Sequence, residues 1–378
     1  MLCDARYGTS WGMGQTTGFG DDDGAGVILK PPFPYFGGKS SVADIIWSAF
    51  GKVDNYVEPF FGSGAVLLGR SNWSHKIRWT ETVNDADGFL ANFWRALQAD
   101  PDGVVKFADL PVNESDLEAR HLWLVNRRKE LTEKLHDPDF YDAKYAGWWV
   151  WGISCWIGSG WCSGKGPWVY DEKERKIVDS RQLPHLGDDG RGINRQLVHL
   201  GGDGQGINRK IPHMERDGQG INRKLPHLGG DGQGLRDYLG RLAQRLRWVR
   251  VCCGEWSRVT GPTVTVGHGT TAIFLDPPYS AEAGRYMNCY AVDSGSVAHD
   301  ARKFCEEWGN DSRMRICLAG YSGEGHEVLE KSGWRVQAWK ASGGYENQAI
   351  GDAGHSGNCR KERLWFSPHC VEGQGQLF

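Results

Sequence analysis

The chain has 378 residues, which is long enough to bury a large core, either as one domain with an insertion or as two domains. Its formal net charge of −3 gives no overall sign of a nucleic-acid binder, although residues 181–250 hold 13 Lys and Arg against 7 Asp and Glu. No run of 18 apolar residues occurs and the N-terminus has no signal-peptide pattern, so a membrane-spanning helix is excluded and a cytoplasmic location is expected.

The first third of the chain predicts a tail followed by alternating strands and helices. Residues 1–30 are rich in glycine and show little periodicity, so they are predicted to form a flexible tail. The elements predicted after the tail are a strand at 53–57, a helix start at 65–68, a strand at 77–83, and helices at 88–98 and 116–135. A strand, a glycine-rich turn, a helix and a second strand with an acidic end are typical of the first half of a nucleotide-binding α/β unit.

The middle of the chain departs from that pattern. Six tryptophans between Trp148 and Trp168 favour an aromatic-rich hairpin or loop. Four copies of a 14-residue repeat then begin at Leu183, Leu197, Ile211 and Leu225. The repeat is too short for the common helical solenoids, and its glycines indicate turns. Two interpretations of the block stay open, a tolerated surface insertion and a binding element.

The last third returns to alternating strands and helices. The predicted elements are helices at 235–246 and 296–308 and strands at 248–253, 272–275, 315–319, 335–339 and 363–366. Together with the first third, they predict a sheet of about six or seven strands.

The strand at 272–275 runs directly into Asp276-Pro277-Pro278-Tyr279. Ligands of open α/β sheets bind at the carboxyl ends of the strands, where this tetrapeptide falls. The Asp276 carboxylate and the stiffly held Pro277 carbonyl could each accept one N–H of an exocyclic adenine amine, which would direct the nitrogen lone pair towards a methyl donor. The ring of Tyr279 could stack on an extruded base. An ordinary turn after a strand is the alternative.

The glycine-rich turn from Glu58 to Gly64 is a weaker signal. Glycines after a strand let the backbone approach a ligand, but the turn lacks the third glycine of a G-x-G-x-x-G fingerprint, because Leu67 stands at that position. Asp85 closes the next strand, where a carboxylate commonly accepts ribose hydroxyls. A helix N-cap is the alternative role for Asp85.

The ten cysteines indicate reduced thiols, because no C-x-x-C pair and no secretory signal occur. The late cluster of His355, Cys359, His369 and Cys370 fits no common zinc spacing, so no metal is expected.

Four segments, in chain order, resemble the motifs of Dam-type (D12 class) N6-adenine-specific DNA methyltransferases: Pro34–Lys39, the Glu58–Gly64 turn, Asn84-Asp85 and Asp276–Tyr279. The resemblance implies a Rossmann-like α/β fold with an inserted target-recognition region, and S-adenosylmethionine as methyl donor. It also implies catalysis by Asp276, Pro277, Pro278 and Tyr279. The residues that it assigns to the cofactor are Tyr35, Lys39, Glu58, Phe61, Gly62, Gly64, Asp85, Glu255, Trp256 and Asp276.

The resemblance further implies one catalytic domain formed from residues 31–135 and 239–378, with target recognition in residues 136–238, which include the repeats at 183–238. The expected partner is double-stranded DNA, and the expected enzyme is a monomeric, site-specific adenine methyltransferase of the restriction–modification type. Its expected location is the cytoplasm, associated with the nucleoid, or the host cytoplasm for a phage-encoded enzyme. The chain lacks the Phe-Asn-x-Pro hairpin of GATC-reading relatives, which places that specificity in doubt. An RNA N6-adenine methyltransferase and a decayed, non-catalytic DNA-binding homologue are the alternatives.

Overall fold

The computed structural model describes residues 29–33, 35, 37–74, 77, 79–156, 161–162, 168–171, 176–179, 234–279, 296–339 and 361–371. The predicted tail, apart from its last two residues, and the repeats, apart from residues 234–238 of the fourth, lie outside these described residues, and so do His355 and Cys359.

A seven-stranded sheet forms the centre of the described protein, in the order β5-β2-β1-β6-β7-β9-β8. Its strands are β1 (Asn55–Glu58), β2 (Thr80–Asp85), β5 (Arg250–Cys253), β6 (Thr271–Leu275), β7 (Met314–Tyr321), β8 (Arg335–Ala338) and β9 (Glu362–Phe366). Neighbouring strands from β5 to β7 are parallel, whereas β9 runs antiparallel to both β7 and β8. The sheet confirms the predicted α/β fold and its strand count.

Burial and strand order together identify the centre of the sheet. All four residues of β1 and all five of β6 are buried, as expected of strands covered on both faces. The chain passes from β1 to β2 on one side of the sheet, while β6 and β7 lie on the other side. The order therefore reverses between β1 and β6, and this is the point at which open α/β sheets bind ligands.

Eight helices accompany the sheet in the described part of the chain. They are α1 (Ala43–Phe50), α2 (Ala65–Leu68), α3 (Gly88–Ala99), α4 (Pro101–Ala108), α5 (Glu114–Lys134), α6 (Ala143–Cys155), α7 (Gly234–Leu246) and α8 (Val297–Trp308). The sequence predicted α2, α3, α5, α7 and α8 within two residues, but not α1, α4 or α6. A short antiparallel hairpin is formed by β3 (Trp168–Asp171) and β4 (Lys176–Asp179).

The loop or hairpin predicted for residues 148–168 is wrong for its first half, which belongs to α6. The Asp142 carboxylate begins this helix by accepting hydrogen bonds from the amides of Lys144 and Tyr145. Trp149 and Trp151 are buried where α6 packs on α3 and α4. The tryptophans near the start of this stretch therefore reflect packing of a buried helix.

A buried ion cluster joins α7 to the sheet. Glu81 of β2 accepts hydrogen bonds from Arg70 at 2.9 Å and from Arg245 of α7 at 2.6 Å. All three side chains are about 2% exposed. This cluster fixes α7, which begins within the fourth repeat, against β2.

Candidate active site at the carboxyl ends of the central strands

A cavity of about 490 Å³ opens at the carboxyl ends of β1, β2, β5 and β6. Each strand contributes the residues that follow or end it: the turn after β1, Asp85 of β2, the segment after β5 and Asp276 after β6. The sequence-predicted residues that line it are Tyr35, Lys39, Glu58, Phe61, Gly62, Asp85, Glu255, Trp256, Asp276 and Pro278. The fold thus brings together residues that are more than 200 positions apart.

The turn after β1 requires glycine at two positions. Gly62 and Gly64 have φ angles of 48° and 70°, in the left-handed region that side chains disfavour. A Cβ on Gly62 would lie 2.7 Å from the ring of Tyr35, and one on Gly64 would lie 2.8 Å from the ring of Phe61. The tight turn brings the backbone of Gly62 to the cavity wall.

Asp85 is fixed by the turn that it faces. Its two carboxylate oxygens accept hydrogen bonds from the amides of Gly62 and Asp87, each at 2.9 Å. Burial raises the pKa of Asp85 to about 7, although these hydrogen bonds oppose the increase. The N-cap of α3 is Asp87, which accepts from the amide of Phe89. The helix-cap interpretation of Asp85 is therefore wrong.

Glu58 ends β1 as a buried carboxyl group at the bottom of the cavity. It accepts a hydrogen bond from the hydroxyl of Tyr56 at 2.7 Å, and its side chain is 2% exposed. Burial raises the pKa of Glu58 well above its ordinary value, and the Tyr56 hydroxyl opposes that change. Glu58 therefore supplies a desolvated acceptor beside the turn.

An aromatic wall follows β5. The ring of Trp256 packs against Phe60, with 5.7 Å between ring centroids, and against Phe304 at 5.9 Å. Glu255 accepts from the amide of Ser257 at 2.9 Å and so begins the short 3₁₀ helix of which Trp256 is the first residue. Phe60 and Trp256 both line the cavity.

At the opposite end of the cavity, Asp276 forms an ion pair with Lys39. The two side chains approach to 2.9 Å, and their exposures are 21% for Asp276 and 3% for Lys39. Lys39 also donates to the carbonyl oxygen of Gly37 at 2.7 Å. Burial raises the pKa of Asp276, while the Lys39 ammonium group opposes that increase and favours the charged carboxylate.

The Tyr279 hydroxyl lies near two carboxylates. It donates to Glu362 of β9 at 2.8 Å and lies 3.4 Å from Oδ1 of Asp276. The ring of Tyr279 is 6% exposed and packs against Tyr321, with 4.4 Å between centroids. Its use as a stacking face for a base remains a prediction.

Sequence reasoning missed two residues of the site. Phe60 was treated only as part of the turn, although an aromatic residue beside two glycines after a strand is a usable signal for a cavity wall. Glu362 carries no local signal, because its proximity to Tyr279 depends on the antiparallel pairing of β9 with β7.

Among the described residues, no group of three or more His, Cys, Asp or Glu side chains could hold a metal ion. Cys370 lies beside the Ser367 hydroxyl at 3.6 Å, and His369 contacts the carbonyl oxygen of Asn310 at 3.0 Å. No helix in the described ranges is long and apolar enough to cross a membrane.

Comparison with known proteins gives a family for part of the chain. No curated protein matches the sequence. The family of D12 class N6 adenine-specific DNA methyltransferases matches residues 35–143. The matched segment contains Lys39, the glycine-rich turn and Asp85, and it ends before the Asp-Pro-Pro-Tyr tetrapeptide. Over residues 35–143 the resemblance found in the sequence is confirmed, because this segment is similar to the D12 class N6 adenine-specific DNA methyltransferases.

Proposed function

We propose that this protein is a site-specific DNA methyltransferase that transfers a methyl group from S-adenosylmethionine to N6 of an adenine turned out of duplex DNA. The observation that carries the proposal is the single cavity that joins the family-matched turn after β1 to Asp276 after β6. One site thus combines groups that suit a nucleoside-like cofactor with a carboxylate that suits an exocyclic amine.

The groups in the cavity fit S-adenosylmethionine. A volume of about 490 Å³ lies in the range of small-molecule sites. Phe60 and Trp256 would offer an apolar wall to the adenine ring, and the Asp85 carboxylate would accept ribose hydroxyls.

The carboxylates suit the charge of the cofactor as well as its shape. S-adenosylmethionine supplies an activated methyl group on a positively charged sulfur. Glu58, Asp85 and Asp276 line the same cavity, with Lys39 paired to Asp276. Burial raises the pKa of all three carboxyl groups, and a cationic ligand in the cavity would favour their charged forms.

Asp276 and Pro277 would act on the substrate base. The exocyclic amine of adenine is a weak nucleophile because its lone pair is delocalised into the ring. The Asp276 carboxylate and the Pro277 carbonyl would each accept one N6–H, which makes the nitrogen more tetrahedral and its lone pair available. The ion pair with Lys39 keeps the Asp276 carboxylate charged and oriented. Fixed acceptors of this kind act without reorganisation during the reaction.

Target recognition would fall to residues 136–238, which separate the two parts of the catalytic domain. Residues 181–250 hold 13 Lys and Arg against 7 Asp and Glu, a net of +6. Four of these basic residues are arginines beyond residue 238, and one of them, Arg245, is buried. Phosphate contacts by the recognition region would therefore depend on the arginines that recur at one position of the repeats, which are Arg195, Arg209 and Arg223.

The test is transfer of a labelled methyl group from S-adenosylmethionine to unmethylated genomic DNA and, separately, to ribosomal RNA. Digestion to nucleosides then identifies the product, and Asp276→Asn serves as the control. We expect label in N6-methyl-2′-deoxyadenosine with the wild type and none with Asp276→Asn. Label in RNA alone would assign the site to RNA, and label in neither, with the cofactor bound, would identify a decayed enzyme.

A further inference from the structure

Four charged or polar side chains form a compact cluster at the Asp276 end of the cavity. Three segments of the chain supply them: one contributes Lys39, the tetrapeptide contributes both Asp276 and Tyr279, and β9 contributes Glu362. The exposed fraction is 2% for Lys39, 6% for Tyr279 and 4% for Glu362. The proposed chemistry uses only the ion pair of Lys39 with Asp276, which provides a charged acceptor for the adenine amine. The Tyr279–Glu362 hydrogen bond therefore has no role in the mechanism described so far.

The Tyr279 hydroxyl can interact with either of two carboxylates. Its oxygen lies 2.8 Å from Oε2 of Glu362 and 3.4 Å from Oδ1 of Asp276. Since a phenol has one proton, it can donate a strong hydrogen bond to only one of them. The shorter distance assigns that proton to Glu362.

This choice decides which oxygen of Asp276 is available. Lys39 already pairs with Oδ2 of Asp276 at 2.9 Å. Were Glu362 unable to accept, the phenol could donate instead to Oδ1 of Asp276, which already lies 3.4 Å from its oxygen. Both oxygens of Asp276 would then be engaged by protein donors, and the acceptor strength available to an incoming amine would fall.

We infer that Glu362 is a positioning residue that holds the Tyr279 hydroxyl away from Asp276, so that Oδ1 of Asp276 stays free for the N6–H of adenine. This inference rests on the proposed function for the identity of the amine. Glu362 touches neither substrate nor cofactor in this scheme and acts only through Tyr279. The element that supplies it, β9, is antiparallel to β7 and follows the rest of the site by more than 80 residues.

The electrostatics of the cluster agree with this arrangement. Burial raises the pKa of Glu362, and the Lys39 ammonium group opposes the increase. Lys39 acts in the same direction on Asp276. One ammonium group thus favours the charged form of both carboxylates, and only a charged Glu362 can compete well with Asp276 for the phenol proton.

The experiment compares Glu362→Leu, Tyr279→Phe and their combination in the full-length protein. Glu362→Leu should lower kcat by about ten- to one-hundredfold, the effect of weakening one charged hydrogen bond. Its KM for S-adenosylmethionine should change little. Adding Tyr279→Phe to Glu362→Leu should then raise kcat, because the competing hydroxyl is gone. Glu362→Gln is the matched control, since its amide oxygen can still accept the phenol proton, and it should lose less activity than Glu362→Leu.

A purely structural role for Glu362 makes the opposite prediction. The double variant would then be no better than Glu362→Leu, and this result would overturn the inference. Should Glu362→Leu fail to fold, Glu362→Met replaces it, because it keeps the side-chain length and accepts hydrogen bonds only weakly.

A second readout does not depend on activity. In a crystal structure of the Glu362→Leu variant without ligands, the Tyr279 oxygen should move to within about 2.8 Å of Oδ1 of Asp276. An unmoved hydroxyl would refute the inference even if the enzyme methylates DNA. Absence of methyl transfer by the wild type would instead refute the proposed function. The position of the Tyr279 hydroxyl in the variant would still test whether Glu362 holds it away from Asp276.

Discussion

Removing the Asp276 carboxylate should lower stability as well as activity. Lys39 is 3% exposed, and its ammonium group would lose the ion pair at 2.9 Å in Asp276→Ala. Breaking a fully buried pair in this way costs about 3–5 kcal/mol. Asp276 is one-fifth exposed, and the Gly37 carbonyl still accepts from Lys39, so we expect about 2 kcal/mol. For a chain of this length, that loss lowers the melting temperature by about 2–4 °C.

Calorimetry and methyl transfer separate the two effects. Replacing Lys39 as well, in Lys39→Met/Asp276→Ala, removes the unpaired charge and should restore most of the lost stability. Neither variant should methylate DNA, since loss of one fixed acceptor costs about a hundredfold or more in rate. An Asp276→Ala protein that melts at the wild-type temperature, or a double variant less stable than Asp276→Ala, would refute the reasoning about this pair.

Three further predictions concern the cofactor turn, the acidic end of β2 and the repeats. Asp85→Ala should raise KM for S-adenosylmethionine more than it lowers kcat. The affinity of the wild type for S-adenosylmethionine, measured by titration calorimetry, should rise as the pH increases through about 7, because the proton on Asp85 competes with ribose hydroxyls. Pronounced pH dependence that persists in Asp85→Ala would contradict this. Gly62→Ala places a Cβ 2.7 Å from Tyr35 and should weaken cofactor binding. The control is Gly240→Ala, because open space surrounds Gly240 in α7. This variant should bind the cofactor as the wild type does and should be about 0.5–1 kcal/mol more stable in thermal unfolding. Deleting the repeat units at 197–224 should reduce the affinity for DNA and the dependence of that affinity on salt concentration, without changing the methylated sequence. If the salt dependence of the affinity is unchanged, the units are a tolerated insertion.

The alternating strands and helices could be predicted because periodicity and turn residues are local signals. The strand at 272–275 and the turn at Glu58–Gly64 were found for this reason, and both lie at the cavity. Asp85 could be placed at the end of β2, but its role as a cap could be excluded only when Asp87 was seen to begin α3.

The errors share one physical cause, which is tertiary packing. Tryptophans do not favour a helix strongly on their own, so the helical structure of α6 depends on burial of Trp149 and Trp151 against α3 and α4. The contact between Tyr279 and Glu362 likewise depends on the pairing of β9 with β7, which no local pattern specifies. A side chain positioned by a distant strand is difficult to identify from sequence alone.

The central claim is that the methyl donor lies in the cavity between the turn after β1 and Asp276. The structure of the protein bound to S-adenosylhomocysteine tests this most directly. We predict ribose hydroxyls within about 3 Å of the Asp85 carboxylate, the adenine ring beside Phe60 and Trp256, and the sulfur facing Asp276. A ligand bound elsewhere, or one whose adenine ring occupies the Asp276 end, would contradict the claim.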